Sequence, residues 1–151
     1  MKRIAALILV LCLLLPCLAE HKSLKDFIID YNIDAGITGA AELSENEVSY
    51  DVVNGRYQVT DSNGVTLLFG DKFDGGACSA PVSQSMEFMR SATAIYLAIN
   101  GTNALNDFLG GLSSGVIFAG RITSNYTFAG NMMFKVTLDN NYYYFTFSVI
   151  A

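Results

Sequence analysis

The chain has 151 residues and carries fourteen acidic side chains against nine basic ones, a formal charge of −5. That balance repels phosphate backbones and anionic lipid, which sets nucleic acid and membrane surfaces aside as partners. Three cysteines and one histidine are too few for a disulfide framework or a histidine cluster that could hold zinc.

Lys2 and Arg3 precede an uninterrupted apolar run over residues 4–15, which Pro16 breaks. Cys17-Leu18-Ala19 follows, with small residues at the −3 and −1 positions of a cut after Ala19. This pattern reads as a secretory signal peptide over residues 1–19. The apolar run is shorter than the ~20 residues that a membrane-spanning helix needs. Leu14-Leu15-Pro16-Cys17 offers Cys17 as a lipoprotein attachment point, but Pro16 stands where such signals carry Gly or Ala, so cleavage after Ala19 is the preferred reading. Localisation is then outside the cytoplasm, secreted or at the cell surface. Taking 19 residues from 151 leaves 132, residues 20–151, one domain with a single core. The signal removes two basic residues and no acidic ones, so the remainder stands at −7. Cys12 and Cys17 leave with the signal. Cys78 then has no intramolecular partner, and the fold must rest on its core.

Ser23 with Asp26 three residues later predicts a capping box. Leu24, Phe27, Ile28 and Tyr31 follow at helical spacing, and Asp34-Ala35-Gly36 is the expected helix end. In residues 48–60, Asn54-Gly55 suits a two-residue type I′ hairpin turn, opposing Val52 to Tyr57 and Tyr50 to Val59. A turn at Asn63-Gly64 leads to a third strand beginning at Val65. Residues 73–85 read as a joint, with two glycines before Cys78 and a helix after it. Residues 86–99 are apolar almost all round, the mark of a buried helix, and Ala94 and Ala98 form a small stripe for close packing. A shorter helix carries Leu105, Phe108, Leu109 and Leu112, with Gly110-Gly111 near its end. Residues 116–122 read as a strand. Tyr126, Phe128, Met132, Phe134, Val136 and Leu138 then read as one apolar face. An Asn140-Asn141 turn opposes Leu138 to Tyr143, Val136 to Phe145, Phe134 to Phe147 and Met132 to Val149. The order α-βββ-αα-βββ predicts an α+β fold: an antiparallel sheet of two three-strand meanders, with the helices packed on one face.

Three sets of residues could carry chemistry. Cys78 at a helix N-terminus would be a thiolate nucleophile. Such an enzyme needs a base, and the one histidine, His21, stands in the tail ahead of the first helix. Packing beneath the helix is the plainer role for this thiol. Asp71 and Asp74, in Gly70-Asp71-Lys72-Phe73-Asp74-Gly75-Gly76, could pair as acids or hold a cation, yet they match no EF-hand spacing and suit a turn. Tyr142 and Tyr144 face away from Tyr143, Phe145 and Phe147. With Lys135 they would present aromatic rings to a sugar or a protein partner. No cofactor motif occurs. Asn100-Gly101-Thr102 and Asn125-Tyr126-Thr127 are glycosylation sequons, relevant only in a eukaryotic secretory route. The sequence therefore points to a non-enzymatic extracytoplasmic binding module. A secreted hydrolase using Cys78 or the loop carboxylates is the first alternative, and a structural or secretion-accessory dimer the second.

Overall fold

The structure, a computed structural model, describes residues 23–120 and 125–150. The expected signal peptide, Cys12, Cys17 and His21 lie outside the described residues.

Ser23 caps the first helix, α1 (Leu24–Thr38). Its hydroxyl accepts the Asp26 amide (3.2 Å) while Asp26 Oδ2 accepts the Ser23 amide (3.3 Å), closing the expected capping box. The helix runs past Gly36 and stops at Gly39, whose left-handed backbone returns its N–H to the Ala35 carbonyl. The chain then doubles back, pinned by Asn32. The Asn32 side chain accepts the Leu43 amide (2.7 Å) and donates to the Leu43 carbonyl (2.9 Å).

Seven strands form one antiparallel sheet in the order β1-β2-β3-β4-β7-β6-β5. They are β1 (Ser49–Asp51), β2 (Arg56–Thr60), β3 (Thr66–Gly70), β4 (Gly75–Pro81), β5 (Thr127–Ala129), β6 (Met132–Asp139) and β7 (Tyr142–Val149). Two helices, α2 (Ser85–Asn100) and α3 (Leu105–Phe118), separate the two runs of strands. The protein is α+β, with strands and helices in the expected order and one strand more than the sequence showed.

That strand is β4, read from sequence as a joint. Gly75-Gly76-Ala77 has almost no strand propensity. Pairing on both sides makes it a strand: β3 on one edge, where Leu67 faces Cys78, and β7 on the other, where Cys78 faces Phe145. It is where the two strand runs join into one sheet.

The first hairpin departs from the expected register. Tyr50 opposes Tyr57, not Val59, and residues 52–55 form the loop. Asp51 is the cause. Its carboxylate accepts the amides of Val53 (2.9 Å) and Asn54 (3.3 Å) and the Asn54 side-chain amide (2.6 Å), so an Asx turn takes the place of the two-residue turn. The Asn54 side chain also holds the Asp51 carboxyl below its usual pKa. The last hairpin matches its expectation. Asn140 and Asn141 both have positive φ, and Leu138–Tyr143, Val136–Phe145, Phe134–Phe147 and Met132–Val149 are the observed pairs.

Residues 116–118, expected in a strand, end α3 instead, and residues 121–124 lie outside the described residues. The β-branched Val116 and Ile117 are overruled by packing. Gly111 and Gly115, four apart on one side of α3, lie directly on the sheet. A Cβ at either would come within 2.8 Å of Phe134 or Val136.

All three helices cover the same face. Phe27 of α1 meets Phe69, with ring centroids 4.5 Å apart; Phe88 of α2 meets Tyr143 at 5.4 Å; Phe108 of α3 meets Phe134 at 5.0 Å. Phe73 takes a left-handed backbone (φ 55°) in the β3–β4 turn and seats its ring between Phe27 (5.0 Å) and Tyr57 (5.7 Å). Tyr96 stacks on Phe108 at 4.1 Å and donates its hydroxyl to the Asn103 carbonyl, closing the turn between α2 and α3. Among the described residues no helix is long and apolar enough to cross a membrane.

Candidate functional site

The opposite face of the sheet is covered by no described element. Strand alternation fixes what it shows. Along the register, Gln58, Leu68, Ala77, Thr146 and Lys135 form one cross-strand row, and Thr60, Thr66, Ser79, Tyr144 and Thr137 form the next. Pro81, Tyr142 and Asp139 make a third, and Gly75, Ser148, Met133 and Phe128 a fourth, with Arg56 paired to Gly70 across β2 and β3.

The expected binding residues meet here. Tyr142 is 44% exposed and Tyr144 half-buried, with ring centroids 6.5 Å apart. Lys135, also half-buried, holds Nζ 5.7 Å from the centre of the Tyr126 ring. Thr60 and Thr66 share a hydroxyl–hydroxyl hydrogen bond of 3.0 Å across β2 and β3. Rings and hydroxyls thus interleave over β7 and β6, and hydroxyls continue to β2.

Tyr126 and Phe128 correct the sequence reading. They were expected on the apolar face with Phe134. Gly130 (φ 54°) and Asn131 form a turn between β5 and β6, pairing Ala129 with Met132 and Phe128 with Met133. That turn reverses the alternation, so Thr127 and Ala129 point inward. Phe128, 62% exposed, joins the outer face, where Tyr126 meets Lys135. The Gly130-Asn131 pair was the available signal, a turn dipeptide inside an apparent single strand.

A shallow depression of about 390 Å³ lies where side chains are missing. Gly70 and Gly75 form its floor with Ala77, and Arg56, Asp74, Thr146 and Ser148 its rim. Asp74 therefore borders the face, while Asp71, also exposed, does not line the depression. Among the described residues no three His, Cys, Asp or Glu side chains gather as a metal site. A second crevice, of about 430 Å³, runs between α3 and β5–β6, lined by Gly110, Ser114, Phe118, Asn125 and Thr127 with no titratable side chain.

Cys78 is far from this face in chemical terms. It lies in the middle of β4, not at a helix N-terminus, and points inward with no exposure. Burial pushes its thiol well above the usual range, with the nearby Asp61 charge acting in the same direction. A helix dipole does the opposite to a thiol at a helix start. Asp61 is the buried carboxylate among the described residues. Its Oδ1 accepts the amides of Asn63 and Val65, both at 2.9 Å, which shapes the expected turn at Asn63-Gly64. Burial still raises its pKa against those bonds.

Fold and face together define a small α+β protein whose one sheet is helix-covered on one side and aromatic and hydroxylated on the other. No family model, curated protein or solved structure matches the chain.

Proposed function

We propose that the chain is an exported, non-enzymatic binding module and that the outer sheet face is its contact surface. One observation carries the reading: Tyr126, Phe128, Tyr142 and Tyr144 stand on a face that no described element covers. Export rests on the basic start, apolar run and small-residue cut of residues 1–19. The ligand class that suits the face is a carbohydrate. Sugar rings have apolar C–H faces that stack on aromatic rings, and hydroxyl edges that need hydrogen-bond partners. Thr137, Thr146 and Ser148 supply such partners beside the rings, and Ser79, Thr66 and Thr60 continue them across β4, β3 and β2.

Electrophoresis through gels carrying soluble β-glucan, xylan or mannan tests this. At least one polysaccharide is expected to retard the wild-type protein. A Tyr142→Ala, Tyr144→Ala double variant, checked for native circular dichroism, is expected to lose about 10- to 100-fold in affinity, the effect of two stacking rings. Equal retardation of both proteins would move the site elsewhere. Retardation by none would end the carbohydrate reading.

A second reading, self-association through helices, has its own observation. Ile29, Ile33 and Ile37 are 48%, 63% and 74% exposed and recur every four residues along α1, an apolar stripe on its solvent side. Sedimentation over a wide concentration range should then show a dimer that Ile33→Ser abolishes, and a strict monomer removes this reading.

A further inference from the structure

One row of the outer face carries a hydroxyl at every strand it crosses. Thr60, Thr66, Ser79, Tyr144 and Thr137 are direct cross-strand neighbours on β2, β3, β4, β7 and β6. The other rows are interrupted, by Leu68 and Ala77, by Pro81, or by Gly75 and Met133. All five side chains reach the surface: Thr60 is exposed and the other four half-buried. Thr60 and Thr66 bond to each other at 3.0 Å, and a hydroxyl pair joined by one bond still has a proton and lone pairs to offer.

The row also has a step in height. Serine and threonine end one atom beyond Cβ, whereas a tyrosine ring rises well above the sheet. Over β4, β3 and β2 the row is therefore a low shelf. Tyr144 bounds the shelf at β7, with the Tyr142 ring 6.5 Å from its own. The shallow depression beside the shelf, floored in part by Ala77, keeps the ground low on that flank. Gln58, Leu68, Ala77 and Pro81, which border the shelf, carry no charge, so it suits a neutral ligand.

We propose, resting on the carbohydrate reading of this face, that its ligand is a neutral, extended glycan chain lying across the strands. One sugar stacks on the rings of Tyr144 and Tyr142, and the next three lie over Ser79, Thr66 and Thr60. Spacing sets the direction. A sugar in an extended, equatorially linked chain advances it by about 5 Å, which keeps step with neighbouring strands about 4.8 Å apart. Along β7 itself, side chains on one face recur only every ~6.7 Å, so a chain running from Tyr142 toward Ser148 falls out of step. A coiled glycan advances too little per sugar to meet successive strands.

Calorimetric titration of the wild-type protein with cello-, xylo- and manno-oligosaccharides of two to six sugars tests this without any substitution. In a series that binds, affinity is expected to climb with each sugar up to about four and then level, one sugar for each strand from β7 to β2. Levelling at two sugars overturns the proposal. Ser79→Ala and Thr66→Val, checked for native circular dichroism, are each expected to weaken tetrasaccharide binding roughly three- to tenfold. Thr66→Val should leave the disaccharide, held at the tyrosines, almost unaffected. A larger loss from Ser148→Ala than from Ser79→Ala would lay the chain along β7 and overturn the proposal. If the Tyr142→Ala, Tyr144→Ala variant loses binding while Ser79→Ala and Thr66→Val bind as the wild type does, the crossing chain is wrong and the carbohydrate surface stands. Binding of no series, with no polysaccharide retarding the protein, ends both.

Discussion

Iodoacetamide is expected to leave Cys78 unmodified in the folded protein from mildly acidic to mildly alkaline pH, and to label it readily once urea unfolds the chain. Two separate effects protect the thiol. The first is access: Cys78 has no exposed surface and lies between Leu67 and Phe145 in the sheet, under the helices. A reagent can reach it only when the protein opens. With a stability of ~5 kcal/mol or more, opening is rare enough to slow labelling by at least ~1000-fold relative to the unfolded chain. The second is ionisation. Only the thiolate reacts, and burial pushes the Cys78 thiol far above its usual range. The raised value keeps the folded protein's thiol neutral, so any labelling comes from the opened chain and stays at least ~1000-fold slower than in urea at the same pH. Mass spectrometry of timed samples measures both effects. Fast labelling at mildly acidic pH would mean a reachable, activated thiolate, and would return the hydrolase reading to contention. Slow labelling that tracks unfolding leaves the outer sheet face as the surface to probe.

The contrast between Cys78 and the tyrosines shows where the sequence is legible. Period-two alternation and turn chemistry act over a few residues. Asn140-Asn141 therefore fixes the β6–β7 register, and with it the outward placement of Tyr142, Tyr144 and Lys135. The capping box at Ser23 is equally local, and so is the buried character of α2. What escaped depends on partners far along the chain. β4 is a strand because β3 and β7 clasp a glycine-rich segment between them. No local propensity announces that, and without β4 Cys78 looked like a residue poised before a helix. α3 keeps its helix through Val116 and Ile117 because Gly111 and Gly115 settle onto Phe134 and Val136. The failure at Asn54-Gly55 is of another kind. A recognised turn dipeptide lost to the neighbouring Asp51, whose side chain could satisfy more amides in a longer loop. Tyr126 and Phe128 were misplaced by one overlooked turn, since a single reversal of the chain exchanges the faces of everything before it.

Gly76→Ala is expected to destabilise the protein by about 3 kcal/mol or more, lowering the melting temperature by roughly 10 °C, while Gly36→Ala is expected to stabilise it by about 0.5–1 kcal/mol. The two substitutions add the same methyl group, and only their surroundings differ. Gly76 stands in β4 between Phe69 and Phe147, whose rings lie 6.5 Å apart. A Cβ there would sit 2.2 Å from the Leu68 carbonyl oxygen and 3.1 Å from two carbons of the Phe147 ring. The ring could turn, but the carbonyl belongs to the backbone of β3 and can move only by disturbing the β3–β4 pairing near the middle of the sheet. The missing side chain of Gly76 is thus the space that Phe147 fills and that lets β3 approach. At Gly36, within α1, nothing lies within 4 Å of the added methyl, so alanine only restricts the unfolded chain and improves helix propensity. Thermal and urea melts of the two variants, followed by circular dichroism, measure the difference. Shifts of opposite sign would locate the strand-joining role in β4. If Gly76→Ala melted with the wild type, the tight approach of β3 to β4 would be wrong.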